Sequence, residues 1–253
     1  MKILLLGNSD TAGQMIQGET WPELIRSGLE RGTAARAALD EKRLAPYGPR
    51  AAAVVSEAAE ASQPDIVILP LVTYAFAVGY VSLRVRQRFG ERAYRWYLRA
   101  EGAMQRRTSG ESRPARLANT WTQRLARKVI GVAPRATVEE VTETYLEIFR
   151  RLARLEDLQV LALSYPAFSE ELQRLNPGMM TTTRRFESVL REAGAGHRFL
   201  WADGEAALEA AGATATGVAS DGSHLSVLGH HLYAEMVLQL LGASSAVTAT
   251  PRR

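Results

Sequence analysis

Four short apolar runs are spaced along the chain, each far enough from the next to leave room for a helix, and this spacing limits the fold more than any other feature. The run at 3–6 is unbroken and stops at Gly7. The run at 66–69 follows the turn signal Gln63-Pro64-Asp65, that at 158–163 gives way to Tyr165-Pro166, and the shortest is Phe199-Leu200-Trp201. A strand buried on both faces needs such an unbroken run, whereas a strand with one wet face alternates. Helix signals fill the gaps. Thr20-Trp21-Pro22-Glu23 and Thr137-Val138-Glu139-Glu140 each read as a capping box. The alanine-rich stretch 50–61 is helical by propensity, and Val141, Tyr145, Ile148, Phe149 and Leu152 recur at helical spacing. A closing helix is expected over 228–241. Strands separated by helices require crossover connections, so the chain is expected to be α/β around a mainly parallel sheet.

At 253 residues the chain suits one large domain, expected to span 1–253 with a frayed tail over 243–253. It contains no cysteine, which excludes a disulfide scaffold, a thiolate zinc site, an iron–sulfur cluster and a cysteine nucleophile. Its four histidines are His197, His224, His230 and His231. No apolar stretch reaches the length of a signal peptide or a membrane span, so the expectation is a cytoplasmic chain without stable membrane insertion.

Charge is unevenly placed. Between Arg84 and Lys128 there are 13 Lys/Arg and three acids, so this block carries +10 against −6 for the rest. Within it Val85, Phe89, Ala93, Trp96, Tyr97, Ala100 and Met104 follow a helical period, which predicts one amphipathic helix with these residues inward. Residues 108–114 are loop-like. The stretch 80–135 reads as a basic helical insertion. A lid over a pocket, a packing helix, and a surface for nucleic acid or membranes are all compatible with it. A solvated charged face is equally ordinary, and no nucleic-acid partner is expected.

Two motifs can carry chemistry. Gly7-Asn8-Ser9-Asp10-Thr11 follows the first strand, where a parallel sheet places ligands, and offers a serine hydroxyl. Asp221-Gly222-Ser223-His224 precedes the last helix and offers an imidazole with a carboxylate to orient it. Each alone is also ordinary turn or capping chemistry. Together, in the order Ser, Asp, His, they resemble the SGNH/GDSL hydrolase family. Leu225-Ser226, Gly229-His230 and Pro64-Asp65-Ile66-Val67-Ile68-Leu69 extend the likeness. The resemblance implies a three-layer, flavodoxin-like α/β/α fold. It implies Ser9 as nucleophile, His224 as general base and Asp221 as its partner. An oxyanion hole would come from the N–H groups of Ser9 and Gly48, the glycine of Pro46-Tyr47-Gly48-Pro49.

The sequence departs from the family at the third oxyanion donor. The family's Gly-x-Asn should follow the 66–69 strand, and this chain has Val72-Thr73-Tyr74 there. Its three asparagines, Asn8, Asn119 and Asn176, lie elsewhere. Thr73 or Tyr74 are the possible substitute donors. Losing one such donor slows an enzyme by about 10²–10³ without abolishing it. Adjacent His230 and His231 point to different helix faces and make poor metal partners, so neither metal nor cofactor is expected. The expected function is hydrolysis of a small ester through an acyl-enzyme. The alternatives are acyl transfer by the same serine, or ligand binding without catalysis on the same scaffold.

Overall fold

The computed structural model describes residues 1–7, 11–13, 16–31, 38–43, 47–108, 125–164 and 168–248. Two compact units emerge. The first comprises Met1–Tyr74 with Val138–Arg253, and the second is Ala75–Thr137.

The first unit is built on one five-stranded parallel sheet ordered β2-β1-β3-β4-β5. Its strands are β1 (Lys2–Gly7), β2 (Ala38–Arg43), β3 (Ile66–Pro70), β4 (Gln159–Leu163) and β5 (Phe199–Ala202). The four apolar runs of the sequence are β1, β3, β4 and β5. The added strand, β2, reads Ala-Leu-Asp-Glu-Lys-Arg, and none of residues 38–42 is fully buried. It pairs only with β1, so as an edge strand it needs no apolar run, and charged side chains discourage further pairing there.

Helices cover both faces of this sheet. Ile3, Leu5, Ile66, Ile68, Leu161 and Leu163 share one core with Trp21 and Ile25 of α1 (Trp21–Arg31). Tyr233, Ala234, Val237 and Leu241 of the closing helix, α9 (Val227–Thr248), complete it. α9 thus continues past the expected end at 241. The alternate residues Leu4, Leu6, Val67, Leu69 and Val160 are also buried, as two-sided strands require. The helices in the remaining crossovers include α2 (Ala51–Ser62), α5 (Val138–Leu152), α6 (Glu170–Leu175) and α7 (Met179–Gly194), and α8 (Gly204–Ala210) follows β5. The α5 stripe Val141, Tyr145, Ile148, Phe149 and Leu152 is buried as its period predicts. Phe149 stacks on Phe199 of β5 at 4.6 Å, which fixes α5 against the sheet.

The second unit closes on itself. It begins within the short α3 (Tyr74–Ala77) and contains α4 (Val81–Thr108). Tyr80 and Ala133 exchange both backbone hydrogen bonds, at 2.8 and 3.1 Å. Arg88 and Arg127 donate to the carbonyls of Ile130 and Gly79. α4 differs from the single amphipathic helix expected, because it breaks direction at Gly90 (φ 81°, ψ −178°). The break resets the helical phase. Val85 is buried and Ala93 and Tyr97 are partly buried, but Phe89 is 63% and Trp96 is 72% exposed, so the inward stripe predicted across 85–104 holds only in part.

Candidate active site

The strand order puts β1 between β2 and β3, so consecutive crossovers leave β1 in opposite directions. Such a switch point opens a crevice outside the carboxyl ends of the strands. Three candidate segments hang from that edge. Gly7 ends β1, and its backbone packs so closely on Thr11 that an added Cβ would fall 2.2 Å from the threonine hydroxyl. Asn8, Ser9 and Asp10 lie between them and outside the described residues. Leu71–Tyr74 follows β3. The third segment, Asp221–His224, is tied to residues beyond β4, since the Ser169 N–H donates to the Gly222 carbonyl at 3.0 Å.

The Asp221–His224 turn is closed by the aspartate itself. Oδ1 accepts the N–H groups of Ser223 (3.0 Å) and His224 (3.1 Å). Oδ2 accepts the Ser223 hydroxyl at 2.9 Å and lies 2.5 Å from His224 Nδ1. Gly222 adopts φ 77°, and a Cβ there would sit 2.1 Å from Ser169 Oγ, so only glycine suits this position. Below the turn, Val218 bridges to Leu225, which is buried in the core. Burial pushes the Asp221 carboxyl up, but the hydrogen bonds from the His224 ring and from the N–H groups of Ser223 and His224 outweigh it. They hold it well below the usual carboxylate range. A permanent carboxylate on Nδ1 makes that nitrogen the proton carrier and leaves Nε2 with the basic lone pair.

The segment after β3 is buried and held from behind by α5. Tyr145, fully buried in α5, donates its hydroxyl to the Pro70 carbonyl (2.8 Å) and accepts the Val72 N–H (3.1 Å). Burial raises its pKa well above the ordinary tyrosine value, so it stays a protonated donor. This clamp fixes the chain on either side of Leu71. Thr73 is fully buried, and its Oγ1 has no hydrogen-bond partner among the described residues. Tyr74 meets Tyr47 edge-to-face at 6.5 Å, which brings the residue after Thr73 against the residue before Gly48. Gly48 itself has φ 99° and is partly exposed.

No family model matches the sequence, and no curated protein matches it significantly. Solved structures do match over nearly the whole chain. A lipase/acylhydrolase from Enterococcus faecalis is 14% identical over 96% of both chains, with a TM-score of 0.62. A candidate GDSL-like lipase from Parabacteroides merdae is 16% identical over 95% of both, with a TM-score of 0.58. A variant of an acetylxylan esterase from Geobacillus stearothermophilus is 15% identical over 94% of this chain and 92% of that one, with a TM-score of 0.56. The chain has the SGNH/GDSL hydrolase fold.

Against the SGNH pattern, the structure brings Asp221 and His224 together and sets Tyr47, the residue before Gly48, against Tyr74. Ser9 and Asn119 lie outside the described residues. Asn176 ends α6, with its side-chain amide on the Leu172 carbonyl at 2.9 Å, and is spent on that helix end. His230 is buried and accepts the Trp21 N–H on Nδ1 at 3.1 Å, so it caps α1 in the neutral form. Burial lowers its pKa to about 4, helped by neighbouring His231 and opposed by Glu23. His231 is exposed, on another face of α9. Sequence reasoning missed Tyr145 and Ser223. The first was signalled only by a lone hydroxyl within an apolar stripe, and the second by a hydroxyl one residue before the histidine.

Proposed function

We propose that this chain is a serine hydrolase that cleaves a small ester through an acyl-enzyme on Ser9. The observation that carries the reading is the 2.5 Å contact between Asp221 and His224 Nδ1 in a turn at the carboxyl edge of an SGNH-type sheet. In the first half-reaction the Ser9 oxygen bonds to the acyl carbon as its proton passes to His224 Nε2. The carbon–alkoxide bond then breaks, and the same proton leaves with the alcohol. In the second half, water gives its proton to Nε2, attacks the acyl carbon, and Ser9 recovers a proton as the acid departs. Asp221 stays ionised throughout and stabilises the imidazolium.

The N–H groups of Ser9 and Gly48 stabilise the tetrahedral oxyanion, and the Thr73 hydroxyl takes the place of the family asparagine. Two observations support Thr73. It lies in the Val72-Thr73-Tyr74 stretch that stands for the family's Gly-x-Asn, and its buried hydroxyl has no partner among the described residues, at a cost of roughly 1–3 kcal/mol. Tyr74 serves as a wall through its contact with Tyr47.

The test is labelling by a fluorophosphonate with peptide mass spectrometry, beside turnover of short-chain aryl esters. One adduct on the Ser9 peptide, lost with turnover in Ser9→Ala, is the expected result. No adduct on Ser9 together with no turnover would favour a binding protein on this scaffold.

A further inference from the structure

The second unit carries a surface that the hydrolase reading does not use. After the break at Gly90, α4 turns Ala93, Tyr94, Tyr97 and Glu101 inward, all partly buried. Burial raises the pKa of both Tyr97 and Glu101, and Arg127 lies close enough to Tyr97 to oppose its shift. The opposite face presents Arg92, Arg95, Trp96 and Arg99, at i, i+3, i+4 and i+7, and all four are exposed. The arginines make no ion pair among the described residues. The one neighbouring carboxylate, Glu91, is occupied by Arg86 at 2.8 Å. Trp96 is 72% exposed, although tryptophan is normally among the most buried side chains. The same unit exposes Phe89, Leu125 and Val129, all above 60%.

We propose that the outer face of α4 docks on an anionic bilayer surface, with Trp96 in the headgroup layer and Arg92, Arg95 and Arg99 on lipid phosphates. The three arginines make this face positive, which complements the anionic leaflet. A tryptophan ringed by arginines matches the amphipathic chemistry of the membrane interface. No helix among the described residues is long and apolar enough to cross a bilayer, so the contact is peripheral. Single-stranded nucleic acid would also accept an aromatic ring among cations. Leu98, three residues after Arg95 and 40% exposed, favours the bilayer, because an exposed aliphatic side chain gains nothing against a polyanion but partitions into the acyl boundary. This inference does not depend on Ser9, so its failure would leave the hydrolase reading untouched.

The test is co-sedimentation of the full chain with vesicles of phosphatidylcholine alone or doped with roughly a third phosphatidylserine. Binding is expected only to the doped vesicles at about 0.05 M salt, and should vanish at about 0.5 M. R92Q/R95Q/R99Q should weaken it about 100-fold, at roughly fivefold per charge removed. Trp96→Ala should weaken it roughly tenfold. Circular dichroism checks that each variant folds, and Arg95→Glu alone serves if the triple variant does not. No wild-type binding to doped vesicles, undiminished binding by the folded charge variant, or preferential capture of a single-stranded oligonucleotide would overturn the proposal.

Discussion

The turn at Asp221–His224 and the segment at Leu71–Tyr74 both hang from the carboxyl edge of the sheet, yet they are built on opposite terms. The turn is polar and partly exposed, and the Asp221 carboxylate takes four hydrogen bonds from groups within three residues. The segment is almost entirely buried, is clamped from α5 by one tyrosine, and keeps one hydroxyl without a partner among the described residues. The difference teaches where each half of the proposed chemistry draws its order. The proton-relay half is preorganised by its own short sequence. The oxyanion half is preorganised by the core behind it, and so depends on residues far away in the chain.

That contrast can be broken at four places. Asp221→Asn removes the carboxylate and leaves the imidazole in the wrong tautomer, so kcat should fall about 10⁴-fold with the fold intact; a drop under about tenfold would mean the turn is not a relay. Thr73→Val should lower kcat by about 10²–10³ yet raise Tm, because a buried hydroxyl without a partner is lost. Unchanged kcat with raised Tm would leave the oxyanion hole with backbone donors only.

His230 tests the scaffold beneath the turn. Its folded pKa of about 4 lies below the unfolded value, so the unfolded chain binds a proton that the folded chain refuses. Its contribution is intact above pH 6.5 and should decline by about 3 kcal/mol as pH falls to 4, an acid slope that His230→Asn should flatten in denaturant titrations. Ser223→Ala should give the smallest effect. Without the Ser223 donor, Asp221 becomes more basic and holds the imidazolium better, so the acid limb of the kcat/KM profile should move up by roughly half a unit. A shift downward would reverse the role given to that hydroxyl.

Much of this was readable in the sequence where the information is local. β1, β3, β4 and β5 announce themselves because both faces are buried, and Asp221 with His224 because one turn holds both. β2 was silent because an edge strand needs no apolar signature. Tyr145 was read as core, since its stripe is apolar and its hydroxyl answers to a carbonyl 75 residues away. Trp96 reads as inward only if the helix is unbroken, and a single glycine, Gly90, breaks it between Trp96 and Val85.

The relay itself is tested most directly by the rate of fluorophosphonate attachment to Ser9 in wild type and in His224→Ala. Proton transfer from Ser9 to His224 predicts a loss of at least about 10³-fold in the variant, with its circular dichroism unchanged. Equal rates in the two proteins would contradict it and leave the Asp221–His224 pair as a structural turn.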